Sequence, residues 1–471
     1  MKEQQNINTK YVLFLALVSA MGGLLFGYDW VVIGGAKPFY ERYFEITNSA
    51  TYQGFAMSSA LFGCLIGSAF SGYFTDKYGR KVPLLFSALL FIFTSLGTGA
   101  FNSFFSFMVF RILGGIAIGV ASNVSPVYIA EIAPSHMRGK LVAINQLTIA
   151  LGVLGAQLTN MLIARPVPVG ASDLMIANSW NGQTGWRWMF WACSVPATLF
   201  FILMWFIPES PRWLAKAGKM TRSFQIFERI GGSEYANKEI EEVNLSLEKA
   251  DVPGSKQAFA HLFSKQLAPI LILGIVLAVF QQWCGINVIF NYAEEVFAAA
   301  GYGITSTLFN IVLTGSVSLI FTIISMFMVD RWGRKALMLT GAGGLSIVYI
   351  VMAIGYFLQI KGAFMLFWVV TAISIYCLTL APITWVLLSE IFPNKIRGQA
   401  MSVATFALWL ACAILTISFP FLNKAFGASG TFALYAAICI LGFFYLLKRL
   451  PETKNKSLEE IEMELTASKK V

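Results

Sequence analysis

The chain has 471 residues, of which 57% are hydrophobic and only 12% charged, and its mean hydropathy is +0.68. Soluble domains carry about 25% charged residues, and so apolar a surface would not stay in solution, which excludes a soluble enzyme. The net charge of +10 is not a nucleic-acid signature either, because the basic residues sit in short clusters between apolar runs, the arrangement that fixes membrane topology.

After a polar start, MKEQQNINTK, apolar runs of about the twenty residues needed to cross ~30 Å of hydrocarbon recur throughout. They predict spans over 11–33, 54–74, 82–101, 104–131, 140–164, 186–207, 267–299, 306–329, 335–358, 363–390, 398–422 and 429–448. The first run is too long for a signal-peptide core and lacks a cleavage site, so it is read as the first span. An even number of spans puts both termini on one side. Lys77, Arg80 and Lys81, then Arg138 and Lys140, Arg331, Arg334 and Lys335, and Lys395 and Arg397 all fall in loops on that side. The positive-inside rule makes it cytoplasmic, in a bacterial inner membrane, since the opposite connections 161–185 and 423–429 hold few cations.

Residues 208–266 break the pattern: they are charged, with helical stretches punctuated by Gly231, Gly232 and Pro253. The expected organisation is a six-helix bundle (1–207), a cytoplasmic helical linker (208–266), a second six-helix bundle (267–450) and an amphipathic cytoplasmic tail (451–471). The six cysteines, Cys64, Cys193, Cys284, Cys377, Cys412 and Cys439, lie in apolar stretches without metal-site or redox spacing, so they are read as packing residues. No Walker A, H-E-x-x-H or nucleophile elbow occurs, so neither enzyme nor ATP-driven pump is expected, and no metal or other cofactor.

Two local sequences occur twice. D-K-Y-G-R-K at 76–81 returns as D-R-W-G-R-K at 330–335, and E-I-A-P-S-H-M-R-G at 131–139 returns as E-I-F-P-N-K-I-R-G at 390–398. A looser third pair is Pro208-Glu209-Ser210 and Pro451-Glu452-Thr453. Each copy falls at the same place in its half, which implies duplication of a six-span unit and a substrate site between the halves near the midplane. Asp76 and Asp330 can accept from a neighbouring helix N-terminus or pair with arginine. Arg80 and Arg334 offer partners to Glu131 and Glu390. With Arg138, Arg397, Glu209 and Arg212, these residues form a candidate conformational latch; the alternative is a set of topology anchors.

These strings, together with R-I-L-G-G, P-E-S-P-R-W-L, F-Q-Q-W-C-G-I-N, W-V-L-L-S-E-I-F-P-N-K-I-R-G and P-E-T-K, carry a resemblance over nearly the whole chain. It resembles the sugar porter family of the major facilitator superfamily, which includes bacterial xylose–, arabinose– and galactose–proton symporters and facilitative glucose carriers. The xylose–proton symporters are nearest in loop lengths. The resemblance implies the major facilitator fold, an all-α membrane protein of twelve transmembrane helices, importing a monosaccharide with a proton as coupling ion by alternating access. Beyond sugar, proton and lipid bilayer no partner is expected, and the carrier is expected to act as a monomer. A facilitative uniporter is the first alternative and a sugar sensor on the same scaffold the second.

An ionisable group deep in a span is costly and marks function. Asp29, in G-L-L-F-G-Y-D-W, is the one acid placed well inside an apolar run, and Arg111 opens R-I-L-G-G-I-A-I-G-V in span 4. We expect Asp29 to be the proton site, held ionised by Arg111 and released on protonation; a static ion pair is the alternative. The resemblance supports coupling, since family symporters carry Asp here and facilitative carriers Asn. A sugar needs amides, whose donor and acceptor match adjacent hydroxyls, and an aromatic face for its C–H side. Gln281, Gln282 and Asn287 in span 7, Gln146 in span 5 and Trp385 in span 10 supply these, with Phe26 a further aromatic candidate. Gln and Asn also serve as glue between helices; the resemblance favours sugar contact. Pro382 predicts a bend in span 10.

The chain departs from the family pattern at four places. Asn291-Tyr292-Ala293-Glu294 stands where relatives often read Y-Y-A-P, Ser318 where many have Asn, and Leu408 and Cys412 where they often carry Gln or Asn. The second half therefore offers fewer polar contacts than usual, which leaves the identity of the monosaccharide open.

Overall fold

The computed structural model describes residues 7–134, 137–168, 170–248, 264, 267–392 and 397–454. Among these residues every regular element is a helix, as hydrocarbon requires: with no water to bond, a spanning backbone must satisfy its N–H and C=O groups internally. The first half runs α1 (Thr9–Tyr43), α2 (Ala50–Tyr78), α3 (Lys81–Ala100), α4 (Phe104–Ile132), α5 (Arg138–Ile163), the short α6 (Asp173–Asn178), a π-helical turn at Asn181–Gly185, α7 (Trp186–Trp191) and α8 (Ser194–Phe206). The linker contributes α9 (Pro211–Lys216) and α10 (Met220–Glu248). The second half runs α11 (Ala268–Trp283), α12 (Ile286–Asn291), α13 (Ala293–Ala299), α14 (Ile304–Trp332), α15 (Arg334–Phe357), α16 (Ala363–Leu378), α17 (Leu380–Ile391) and α18 (Arg397–Arg449).

Among the described residues, eleven helical stretches are long and apolar enough to cross a membrane. The last, of 51 residues, is interrupted at Gly427, whose φ of 65° breaks α18 where the sequence predicts the connection between the last two spans. That interruption yields the twelfth.

Three predicted spans differ in detail. The span expected at 11–33 continues to Tyr43, carrying Lys37, Pro38 and Glu41 within α1. The run 267–299 is three pieces, broken at Gly285 and again at Tyr292. Gly285 has φ 88°, a conformation side chains resist, and a Cβ there would lie 2.6 Å from the Tyr435 ring, so glycine is required at this break. Span 10 breaks at Thr379 (φ −121°, ψ −84°), three residues before the bend expected at Pro382. The ring of Pro382 cannot accommodate the carbonyl one turn earlier, so the distortion falls upstream of it.

Two compact groups of residues are distinguished: 1–29, 62–152 and 190–253 in one; 30–61, 153–189 and 254–471 in the other. In the first, α1 and α5 cross closely because both are glycine at the contact. The Gly27 Cα faces the Ile149 carbonyl and the Gly152 Cα the Leu24 carbonyl, where a Cβ would meet oxygen at 2.0 Å in each case. The crossing fixes the stretch of α1 that ends in Asp29. At the α9–α10 end of this group, Phe227, Ile230, Tyr235 and Ala236 bury against Val12 and Ala16 of α1, Ile129 of α4 and Leu141 of α5. The linker's first half is thus helical and docked. Its remainder (249–263, 265–266), His136, His261 and the tail from 455 lie outside the described residues.

In the second group α15 and α11 both pack on α18. Aromatic contacts fill its core, with Tyr349, Tyr356 and Tyr435 set around Phe432.

Candidate functional site

Asp29 and Arg111 meet, as expected. Arg111 Nη1 donates to both Asp29 carboxylate oxygens, at 2.9 and 2.8 Å, and the residues are 6% and 2% exposed. The guanidinium also lies 5.6 Å from the centre of the Phe190 ring. Charges so enclosed persist only when paired, because desolvation costs each several kcal/mol. A proton arriving at Asp29 would leave Arg111 with an aromatic face in place of an anion. Phe26 and Gln146, in the same group of residues, are half-buried.

The span 7 amides also come together. Gln282 Nε2 donates to Gln281 Oε1 at 3.1 Å, Asn287 Nδ2 donates to Gln282 Oε1, and Gln281 Nε2 donates to the Ala381 carbonyl at 3.2 Å. The break at Gly285 makes this possible: it separates α11, which ends just after the two glutamines, from α12, whose second residue is Asn287. Ala381 lies just past the break at Thr379, so the two interrupted helices exchange a bond where each departs from regular geometry. Trp385, on α17, is 37% exposed.

Two of the departing positions take part here. Asn287 Nδ2 reaches Cys412 Sγ at 3.8 Å, and Ser318 Oγ lies 3.2 Å from Cys377 Sγ. Sulfur is a weak partner, so these contacts are softer than those an amide would make. Asn291 and Leu408 are buried.

The duplicated motifs form the same structure twice. In the first copy, Arg80 Nη2 and Nε both donate to Glu131 Oε1, at 2.7 and 3.1 Å, and Ser210 Oγ donates to the other Glu131 oxygen. In the second, Arg334 Nη2 donates to Glu390 Oε1 at 3.1 Å and Thr453 Oγ1 to Glu390 Oε2 at 2.6 Å. The free N–H groups at the start of α3 are taken by Glu209, which accepts from Arg80 N at 2.8 Å and Lys81 N at 3.1 Å. Those of α15 are taken by Glu452, which accepts from Arg334 N at 2.9 Å and Lys335 N at 3.1 Å. Carboxylates at helix N-termini are favoured by both the free donors and the dipole.

Glu209 and Glu452, rather than Asp76, are therefore the capping acids. Asp76 instead pairs with Lys216 at 3.3 Å on the surface, and its carbonyl accepts from Trp213 Nε1. Arg212 pairs with Glu239 of α10 at 3.1 Å, and Arg138 Nε donates to the Ala130 carbonyl. The side chains of Asp330 and Arg397 lie outside the described residues. Glu452 was legible as the partner of Glu209 in the third repeat, but no capping role is assigned to it from the sequence.

A cluster absent from the sequence reading lies near the end of α1. Lys37 Nζ meets Glu41 Oε2 at 2.9 Å, Glu295 Oε1 at 2.5 Å and Glu294 Oε2 at 3.9 Å. Arg42 joins Glu294 to Asp173. Nothing in the spacing of residues 37 and 295 announces the contact.

Known proteins of similar sequence and structure identify the family. A family profile described as sugar (and other) transporter matches residues 15–465. The D-xylose-proton symporter of Escherichia coli (strain K12) is 35% identical over 485 aligned residues, covering 97% of this chain and 96% of that protein. The arabinose-proton symporter of Bacillus subtilis (strain 168) is 36% identical, covering 96% and 94%. An inward-open structure of the xylose transporter XylE from E. coli superimposes with a TM-score of 0.83 at 33% identity, covering 96% of this chain and all of that one. With its twelve apolar spans in two duplicated halves, the chain belongs to the sugar transporter family, and its fold is that of the major facilitator superfamily.

Proposed function

We propose that this protein imports a monosaccharide, a pentose or hexose, together with a proton, by alternating access across a bacterial inner membrane, with both termini in the cytoplasm. The observation that carries this reading is the enclosed Asp29–Arg111 pair. A carrier without coupling gains nothing from a costly acid inside a span. The xylose and arabinose relatives are named as proton symporters, and the cation-rich loops support a cytoplasmic position for the Asp76 and Asp330 ends.

In this reading a proton on Asp29 dissolves the pair with Arg111 and lets the helices change their packing. Gln281, Gln282 and Asn287, with Gln146, Trp385 and Phe26, hold the sugar. The amide chain among the first three is broken and remade when hydroxyls replace its members as partners. A proton falling through ~150 mV yields ~3.5 kcal/mol, and each pH unit adds ~1.4 kcal/mol. Together these sustain accumulation on the order of a thousand-fold.

The test is uptake of a panel of labelled monosaccharides into proteoliposomes, with and without an inward proton gradient. Gradient-driven accumulation of one sugar is expected, and Asp29→Asn should abolish it while leaving counterflow exchange. Equilibration without accumulation in the wild type would make the protein a uniporter. Loss of both accumulation and exchange in the variant would remove Asp29 as a coupling residue.

A further inference from the structure

The charges near the end of α1 do not balance. Lys37, Glu41 and Arg42 come from α1, Glu294 and Glu295 from α13, and Asp173 from α6. The Asp173 side chain is 65% exposed, so water screens it, whereas Lys37 is 2% exposed and Glu41 3%, and Arg42, Glu294 and Glu295 are half-buried. Two cations thus face three buried or half-buried carboxylates. The titratable phenols nearby do not help, because Tyr292 Oη donates to the Thr416 carbonyl and Tyr40 Oη to Met57 Sδ.

Glu41 shows where the imbalance falls. Its Oε2 accepts from Lys37 and, at 3.2 Å, from Gln53 Nε2 of α2. Its Oε1 is buried and meets no donor. An ionised carboxylate with one oxygen dry and unpartnered is costly, whereas a neutral carboxyl carries its proton at that oxygen. Three carboxylates sharing Lys37 and an Arg42 that also pairs with Asp173 cannot all stay ionised away from water.

We propose that the Lys37–Glu41–Glu294–Glu295 cluster is a second proton-binding site, at the extracellular end of the carrier, which holds its proton only while α1 and α13 are packed together. The proposal rests on the alternating-access reading above. α1 belongs to the first repeat and α13 to the second, and in the alternating-access reading the extracellular side opens by parting the packed end of α1 from α13. Separation admits water to all three carboxylates, which then ionise and release the proton. By linkage, closure takes a proton up, and external acid favours the closed form.

The test needs no sugar. Spin labels on Asn48→Cys and Ser306→Cys, two exposed positions in a chain whose six native cysteines are all buried, report the extracellular opening by pulsed electron resonance on full-length protein in lipid nanodiscs. Between pH 5 and 9 the ratio of closed to open form should fall by up to tenfold per pH unit, as for one proton, across the interval between ionisation of the opened carboxylates and ionisation of the closed cluster, and then level off. Glu41→Gln should keep the closed form at high pH and flatten this dependence. Glu295→Gln, which removes the same excess charge by another residue, should act in the same direction. Asp29→Asn, which fixes the other proton site in its neutral form, should shift the midpoint but keep the pH dependence. A wild type without a transition, a transition unchanged in both glutamine variants, or a pH dependence lost in Asp29→Asn would each overturn the proposal. Failure of gradient-driven accumulation with this transition intact would instead refute symport alone.

Discussion

Asp29 and Arg111 differ in what each can lose. Arg111→Ala leaves a carboxylate enclosed with no cation, the circumstance that costs about 3–5 kcal/mol in buried pairs. Asp29→Asn keeps an oxygen that can accept from Nη1, and the Phe190 ring remains beside the guanidinium. Thermal unfolding in detergent should therefore show a clearly larger loss for Arg111→Ala than for Asp29→Asn, and equal losses would mean the pair is not enclosed in the membrane. Asp29 stood out in the sequence because an acid among Leu, Phe and Gly is expensive. Glu41 and Glu295 did not, because each lies near a span end, where charge is ordinary; only their convergence on one lysine makes them unusual.

At the level of elements, the two helix starts at Arg80 and Arg334 are built alike but titrate in opposite directions. Burial pushes the Glu209 carboxyl up, against the N–H groups of Ser210, Arg80 and Lys81 and the charge of Arg80. Burial also pushes on Glu452, but the N–H groups of Lys454, Arg334, Lys335 and Thr453 together hold it below the usual range. A lowered carboxylate stabilises the fold above its unfolded range and loses that contribution as pH falls through its folded value. A raised one contributes most in its protonated form, below its folded value, and that contribution fades as pH rises through the unfolded and then the folded value. Glu452→Gln should thus lower the melting temperature more at pH 7.5 than at pH 4. Glu209→Gln, which mimics the protonated form, should be better tolerated at pH 7.5. A Glu452→Gln deficit that does not shrink in acid would show that its cap does not depend on charge. The third repeat made Glu209 and Glu452 legible as equivalents, but which acid would cap the helices was not, because Asp76 is nearer in sequence and Glu209 is nearer in space.

Across the molecule, the same ion pair occurs once in each duplicated half, Arg80 with Glu131 and Arg334 with Glu390, a candidate latch in each. Partly exposed pairs of this kind contribute up to about 1 kcal/mol, roughly a fivefold change in a local equilibrium. Glu131→Gln should raise hydrogen exchange at the start of α3 by about that factor and leave α15 unchanged, and Glu390→Gln should do the reverse. No change in either variant would reduce the motif to a topology anchor. A change in both halves from one substitution would show that the two latches move together during transport.

What the amino-acid order determined by itself was set by period, length and repetition: the apolar runs, the duplicated motifs, the linker and the isolated acid in the first span. These are local or self-similar properties, and hydrocarbon enforces them directly. The breaks at Gly285 and Thr379, the amide chain from Asn287 to Ala381, the capping carboxylates and the Lys37 cluster were decided only by the tertiary structure. Each depends on which residues distant in the chain are brought within bonding distance, and that follows from helix packing, which no local pattern encodes.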